Sequence, residues 1–181
     1  MTLLRGLAPI MDERAEVLIL GSFPSEASLA AQQYYAHKQN QFWKILGAIL
    51  GQPLFNMDYA DRCQFVRDTG IAIWDVYATC ERAGSLDSAI HNGVPNDFGL
   101  LNNEARAGRR SQKSTLAGRR GIERICFNGQ AAGKFVPQLA AMGLASVILP
   151  STSPANATWS FERKVAAWRE GLKLSHAIDA I

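Results

Sequence analysis

Six side chains suited to contact with a flat ligand fall within ten residues: Tyr34, Tyr35, His37, Asn40, Phe42 and Trp43. Rings stack, and the amide of Asn40 can orient a water or a polar edge. Just upstream, Gly21-Ser22-Phe23-Pro24-Ser25 closes the apolar run Val17-Leu18-Ile19-Leu20. Two further polar turns follow apolar runs in the same way: Asn128-Gly129 after Arg124–Phe127, and Pro150–Asn156 after Ala145–Leu149. A short continuous apolar run reads as a strand buried on both faces. Ligands of open α/β sheets bind where such strands end. The stretch Val17–Trp43 therefore reads as the floor of an active site.

The elements that must position these groups alternate. Lys44–Gly51 and Tyr59–Asp68 read as helices, with Gly51 and Gly70 as stop signals. Ile71–Tyr77 is β-branched and aromatic and reads as a second core strand. Ser85–Ile90 reads as a short capped turn of helix, and Pro95–Phe98 as the start of another with Asp97 as its N-cap. Gln130–Met142 is expected as one helix ended by Gly143. Trp159–Leu172 is expected as an amphipathic helix with Trp159, Val165, Trp168 and Leu172 near one face. Strands alternating with helices predict a three-layer α/β/α sandwich around a four-stranded parallel sheet.

At 181 residues, 48% hydrophobic and 19% charged, the chain suits one domain with a sizeable core. No apolar run reaches membrane-spanning length and the N-terminus lacks signal-peptide features, so a cytoplasmic protein is expected. Cys63, Cys80 and Cys126 are scattered, with no CxxC pair, so no metal and no cofactor is expected. The net charge of +3 permits a nucleic-acid partner. Residues 105–121 carry six basic side chains and no acid. They read either as a solvated, mobile linker or as a phosphate-contacting insert.

Together, GSFPS at Gly21–Ser25, YYAHKQNQFW at Tyr34–Trp43, FNG at Phe127–Gly129 and PSTSPAN at Pro150–Asn156 resemble the uracil-DNA glycosylase superfamily. The nearest likeness is its hypoxanthine-DNA glycosylase-like branch, with a GSFP turn followed by Y-Y-x-H-x-x-N-x-F-W. The resemblance implies a monofunctional glycosylase that flips a deaminated base, uracil or hypoxanthine, out of DNA and leaves an abasic site. It implies a monomer whose partners are the damaged DNA and its product. Uracil is slightly preferred, by analogy with the superfamily at large.

The same resemblance implies roles. Asn40 would orient the water, and Ser151, standing where other members place a histidine, would stabilise the departing base. Phe42 would stack on the base, or else be a core aromatic beside Trp43. Asn128 would pair bidentately with N–H and C=O groups adjacent on uracil or hypoxanthine, or else form a simple turn with Gly129. Gly21, Ser22, Phe23 and Ser25 would line the base pocket. Phe23 replaces the water-assisting aspartate of the family's uracil enzymes, and Ser25 the tyrosine that excludes thymine. His37, Ser153, Pro154, Ala155 and Asn156 would face DNA; the alternatives are packing for His37 and a helix-capping loop for the rest. Asp75 reads as structural rather than catalytic. A different class of function, binding uracil-containing or abasic DNA without turnover, is also compatible with these replacements.

Overall fold

The computed structural model describes residues 2–101 and 121–174. The basic segment 105–121 lies outside the described residues except for Gly121. The sheet predicted from the apolar runs is present, as β2 (Val17–Gly21), β3 (Ile71–Asp75), β6 (Arg124–Asn128) and β7 (Ala145–Leu149), all parallel in the order β3-β2-β6-β7. β2 is buried at every position because it pairs on both sides, while β7 is an edge and only partly covered.

Successive side chains of a strand point to opposite faces. On β7, Ile148 packs on Gly133 of α4 (Gln130–Gly133), whereas Leu149 packs on Gly171 of α6 (Phe161–Leu172). Helices therefore cover both faces, giving the three layers. α6 also lies against α2 (Phe42–Leu50). Phe42, Trp43, Trp168 and Leu172 are essentially without exposed surface in the core so formed.

α3 spans Tyr59–Asp68 as expected, and Gly51 and Gly143 take the left-handed conformation that ends their segments. The remaining differences have local causes. The expected helix over residues 130–142 is two pieces, α4 and α5 (Val136–Ala140), because Pro137 fits a first turn but not a helix interior. α6 begins at Phe161, with the Ser160 hydroxyl accepting from Arg163 N–H. Trp159 thus falls outside the helix, half-exposed beneath the Arg163 guanidinium.

β3 stops at Asp75, and the chain continues as β4 (Tyr77–Glu81) in a second, antiparallel sheet. There β4 lies between β1 (Leu3–Arg5) and β5 (His91–Pro95), strands too short and too polar to stand out in the sequence. A single 3₁₀ turn, Asp87–Ala89, takes the place of the capped helical turn, and Phe98–Leu101 follows Asp97, whose Oδ1 accepts from Gly99 N–H. α1 (Glu26–Ala31), capped by Ser25, was not anticipated. No helix among the described residues is long and apolar enough to cross a membrane.

Candidate active site

The ends of β2 and β6 and the loop after β7 meet around a cavity of about 90 Å³. Its wall includes Gly21, Ser22, Phe23, Ser25, Tyr34, Tyr35, Asn40, Asn128, Ser151 and Ser153, so ten of the residues singled out from the sequence converge. A wider groove of about 690 Å³ runs between the β7 edge and α6, touching this region at Gly129, Ser151 and Asn156. Its wall is largely apolar, whereas amides and hydroxyls converge in the smaller cavity, which makes the smaller cavity the candidate site.

Gly21 ends β2 opposite Asp75 of β3. A side chain at Gly21 would collide with the Asp75 carboxyl and crowd the Tyr35 hydroxyl, so the position requires glycine. Gly129, with φ of 93°, likewise lets Ser151 close in; a Cβ there would lie 2.9 Å from that of Ser151.

Phe42 is fully buried and cannot itself face a base. The ring of Tyr35 covers it, with centroids 3.8 Å apart and planes at 16°. Tyr35 lines the cavity together with Phe23 and Tyr34, and Phe42 lies behind it in the core, the second of the two readings of that residue. A motif read as sequence does not say which of two stacked rings lies in front. Tyr35 has φ of 56°, rare outside glycine. Its neighbour Tyr34 is held by three contacts: Tyr34 N–H donates to the Tyr59 hydroxyl (2.9 Å), Trp43 Nε1 donates to Tyr34 O (2.9 Å), and the Tyr34 hydroxyl donates to Leu7 O (3.2 Å).

Asn40 Oδ1 accepts from Phe42 N–H at 3.0 Å at the head of α2, and the cavity takes the rest of its amide. Asn128 is locked to Thr152: Thr152 N–H donates to its Oδ1 and its Nδ2 donates to Thr152 Oγ1, both at 2.9 Å. A backbone N–H can only donate, so this pair fixes which end of the amide is oxygen. One lone pair and one N–H remain for a ligand. Thr152, fully buried, was not singled out from the sequence.

The Ser151 hydroxyl accepts from Ser153 N–H at 3.2 Å, which leaves its own proton to donate elsewhere. The Ser25 hydroxyl is engaged in capping α1: it accepts from Ser28 N–H and donates to Ser28 Oγ. Pro154 and Ala155 form an exposed tip beside the cavity. Asn156 frames the loop instead of projecting from it, donating from Nδ2 to Ser151 O (3.1 Å) and accepting from Thr158 Oγ1. His37 is exposed and lies outside the cavity wall.

Lys164 of α6, buried, donates to Gln41 Oε1 and to Asn156 O, each at 2.9 Å. It fastens the 150–156 loop to the start of α2. Burial holds its ammonium below the usual lysine range. Sequence spacing gave no signal for this contact between residues 123 positions apart.

Charge enters from the β4–β5 connection. Asp87 and Ser85 line the cavity; the Ser22 hydroxyl donates to Asp87 Oδ1, and Glu26 N–H donates to Ser85 Oγ. Asp75, behind Gly21, is pushed up to about 7 by desolvation and by Asp87, with Arg82 opposing. Its Oδ2 and the Tyr35 hydroxyl have no hydrogen-bond partner among the described residues. Desolvation and Asp75 also raise the Tyr35 phenol; Asn128 opposes that shift, although its approach falls short of hydrogen-bond geometry.

The profile described as the uracil DNA glycosylase superfamily matches residues 8–172. The chain is 34% identical over 169 residues to a hypoxanthine DNA glycosylase of Methanosarcina barkeri, covering 93% of this chain and 98% of that one. It is 36% identical over 160 residues to a hypoxanthine DNA glycosylase of Methanosarcina acetivorans, covering 88% and 92%. The solution NMR structure of a Methanosarcina acetivorans protein assigned as a candidate uracil DNA glycosylase superposes with a TM-score of 0.79, at 35% identity, over 97% of this chain and all of that one. With a profile match across nearly its whole length and relatives this similar, the chain belongs to the uracil DNA glycosylase superfamily.

Proposed function

We propose that the protein hydrolyses the N-glycosidic bond of hypoxanthine in DNA, leaving an abasic site. The observation that carries this reading is the meeting of Tyr35, Asn40, Asn128 and Ser151 in one cavity at the carboxyl edge of the sheet. Two relatives named hypoxanthine DNA glycosylases favour hypoxanthine over uracil as the main base.

A flipped base stacks on the outer face of Tyr35, whose inner face is backed by Phe42. The free N–H of Asn128 donates to O6 of hypoxanthine, a position at which cytosine offers an amino donor instead. The second lone pair of Asn40 Oδ1 orients the water. A loose, oxocarbenium-like sugar demands position more than nucleophilic strength. The Ser151 proton stabilises the base as it leaves carrying the bonding electron pair. The cavity-lining residues include no lysine, which supports hydrolysis without a lyase step.

The test uses labelled duplexes carrying one hypoxanthine, uracil, xanthine or mismatched thymine, incubated with wild type and Asn40→Ala and then treated with alkali. Cleavage at hypoxanthine that Asn40→Ala lacks, with DNA still bound, is the expected result. Tight retention of abasic DNA with no cleavage of any substrate by wild type would make the protein a binder instead.

A further inference from the structure

We propose that Asp87 is the carboxylate of this active site: it faces the developing sugar cation and takes the proton of the attacking water. This rests on the reading just given. The residues lining the cavity include three with ionisable side chains, Tyr34, Tyr35 and Asp87. Burial, reinforced by Asp75, pushes both tyrosines up and out of reach as bases. Asn40 and Asn128 are amides, and the lining hydroxyls belong to serines and Thr152, none of them a base at neutral pH. The attacking water nevertheless has to lose a proton, and the transition state carries positive charge on the sugar.

The geometry suits Asp87 to both demands. It is exposed on the β4–β5 connection, so it retains solvent contact through which a proton can leave. Ser22, at the end of β2, donates to Oδ1 and fixes the carboxylate against the turn, while Oδ2 has no partner among the described residues. Ser85, two residues earlier, docks the same connection onto α1 through Glu26 N–H. The ionisable groups around Asp87 are Asp75 on β3, Tyr35 ahead of α2 and Cys80 on β4. Arg82 is the nearby cation; it acts on Asp75 and Cys80 and directs one N–H to Pro24 O.

The step balances without a further reagent. The bond from the anomeric carbon to the base nitrogen breaks and its electron pair departs with the base. The water oxygen bonds to the anomeric carbon, one water proton passes to Asp87 and from there to solvent, and the base anion is reprotonated from solvent.

The test compares single-turnover cleavage of hypoxanthine duplex by wild type, Asp87→Asn and Asp87→Glu at one pH near neutrality. A gel shift on abasic duplex accompanies it. Asparagine keeps an oxygen to accept from Ser22, so the connection stays docked. Asp87→Asn is expected to cleave about 10²–10⁴-fold more slowly while binding abasic DNA as before. Asp87→Glu should recover part of the rate. Asp87→Asn within about threefold of wild type, or losing binding and rate in parallel, would overturn the assignment. Should Asp87→Asn not fold, Asp87→Ser takes its place, and a rate within about threefold of wild type overturns the assignment equally. Wild type that cleaves no substrate would take down the parent reading and this one together; a fast Asp87→Asn removes only this one.

Discussion

The ring of Tyr35 lies on that of Phe42, 3.8 Å between centroids, with Phe42 sealed in the core and Tyr35 facing the cavity. The two rings thus separate stability from recognition. Phe42→Ala should cost about 3–5 kcal/mol in denaturant unfolding, as for other buried phenylalanines. Tyr35→Ala should cost less stability but most of the cleavage. Tyr35→Phe removes a buried hydroxyl without a partner and should be neutral or stabilising by up to about 1 kcal/mol with activity kept. A large loss of activity in Tyr35→Phe would instead give the hydroxyl a direct role.

Thr152→Val tests the lock on Asn128. Valine keeps the shape and the backbone N–H that donates to Asn128 Oδ1, but deletes the oxygen that accepts from Nδ2. The expected cost is about 1 kcal/mol of stability. Cleavage should slow through a raised KM, because the amide meant to read the base is held at one end only. Unchanged kinetics would show that the lock does not serve recognition.

Asp75 gives a pH signature of stability. Its folded value, about 7, lies above its unfolded one because burial and Asp87 disfavour the charge. The folded state therefore binds the proton more tightly, and stability falls as pH rises through the window between the two values. Asp75→Asn should gain over wild type progressively from about pH 4 to pH 7 and level off above, by up to about 4 kcal/mol. Thermal melts across that range check it; a gain independent of pH would contradict the shift.

Lys164→Met probes the tie between α6, Gln41 and the 150–156 loop. Losing two hydrogen bonds is partly offset by no longer burying a charge, so global stability should move by only about 1–2 kcal/mol. Hydrogen exchange at the Asn156 amide, which donates to Ser153 O, should accelerate clearly. Unaltered exchange there would mean the loop holds its shape unaided.

Much of this architecture is written in runs and stops. Four apolar runs became the four parallel strands, and Tyr59–Asp68 became a helix with those bounds, because burial on both faces and helix-ending glycines leave plain local marks. The small antiparallel sheet left none: Tyr77–Glu81 and His91–Pro95 are half-polar, and their pairing is decided by what lies beside them. At the site, proximity of the motif residues was legible, but orientation was not. Asn156 turned inward to frame its loop, Ser25 to cap a helix, and Asp87 arrived from a connection with no motif of its own. Such arrivals depend on tertiary folding and have no period or spacing to betray them.

The position of Lys164 bears on truncation. Among the described residues every strand ends by Leu149 and every cavity-lining residue by Ser153, so a chain cut short before α6 would carry the full inventory of the site. It would lack the ammonium that joins Gln41 to Asn156, and the Trp168 and Leu172 side chains packed beneath. A gene fragment of that kind would look intact to a motif search and still encode an inactive protein.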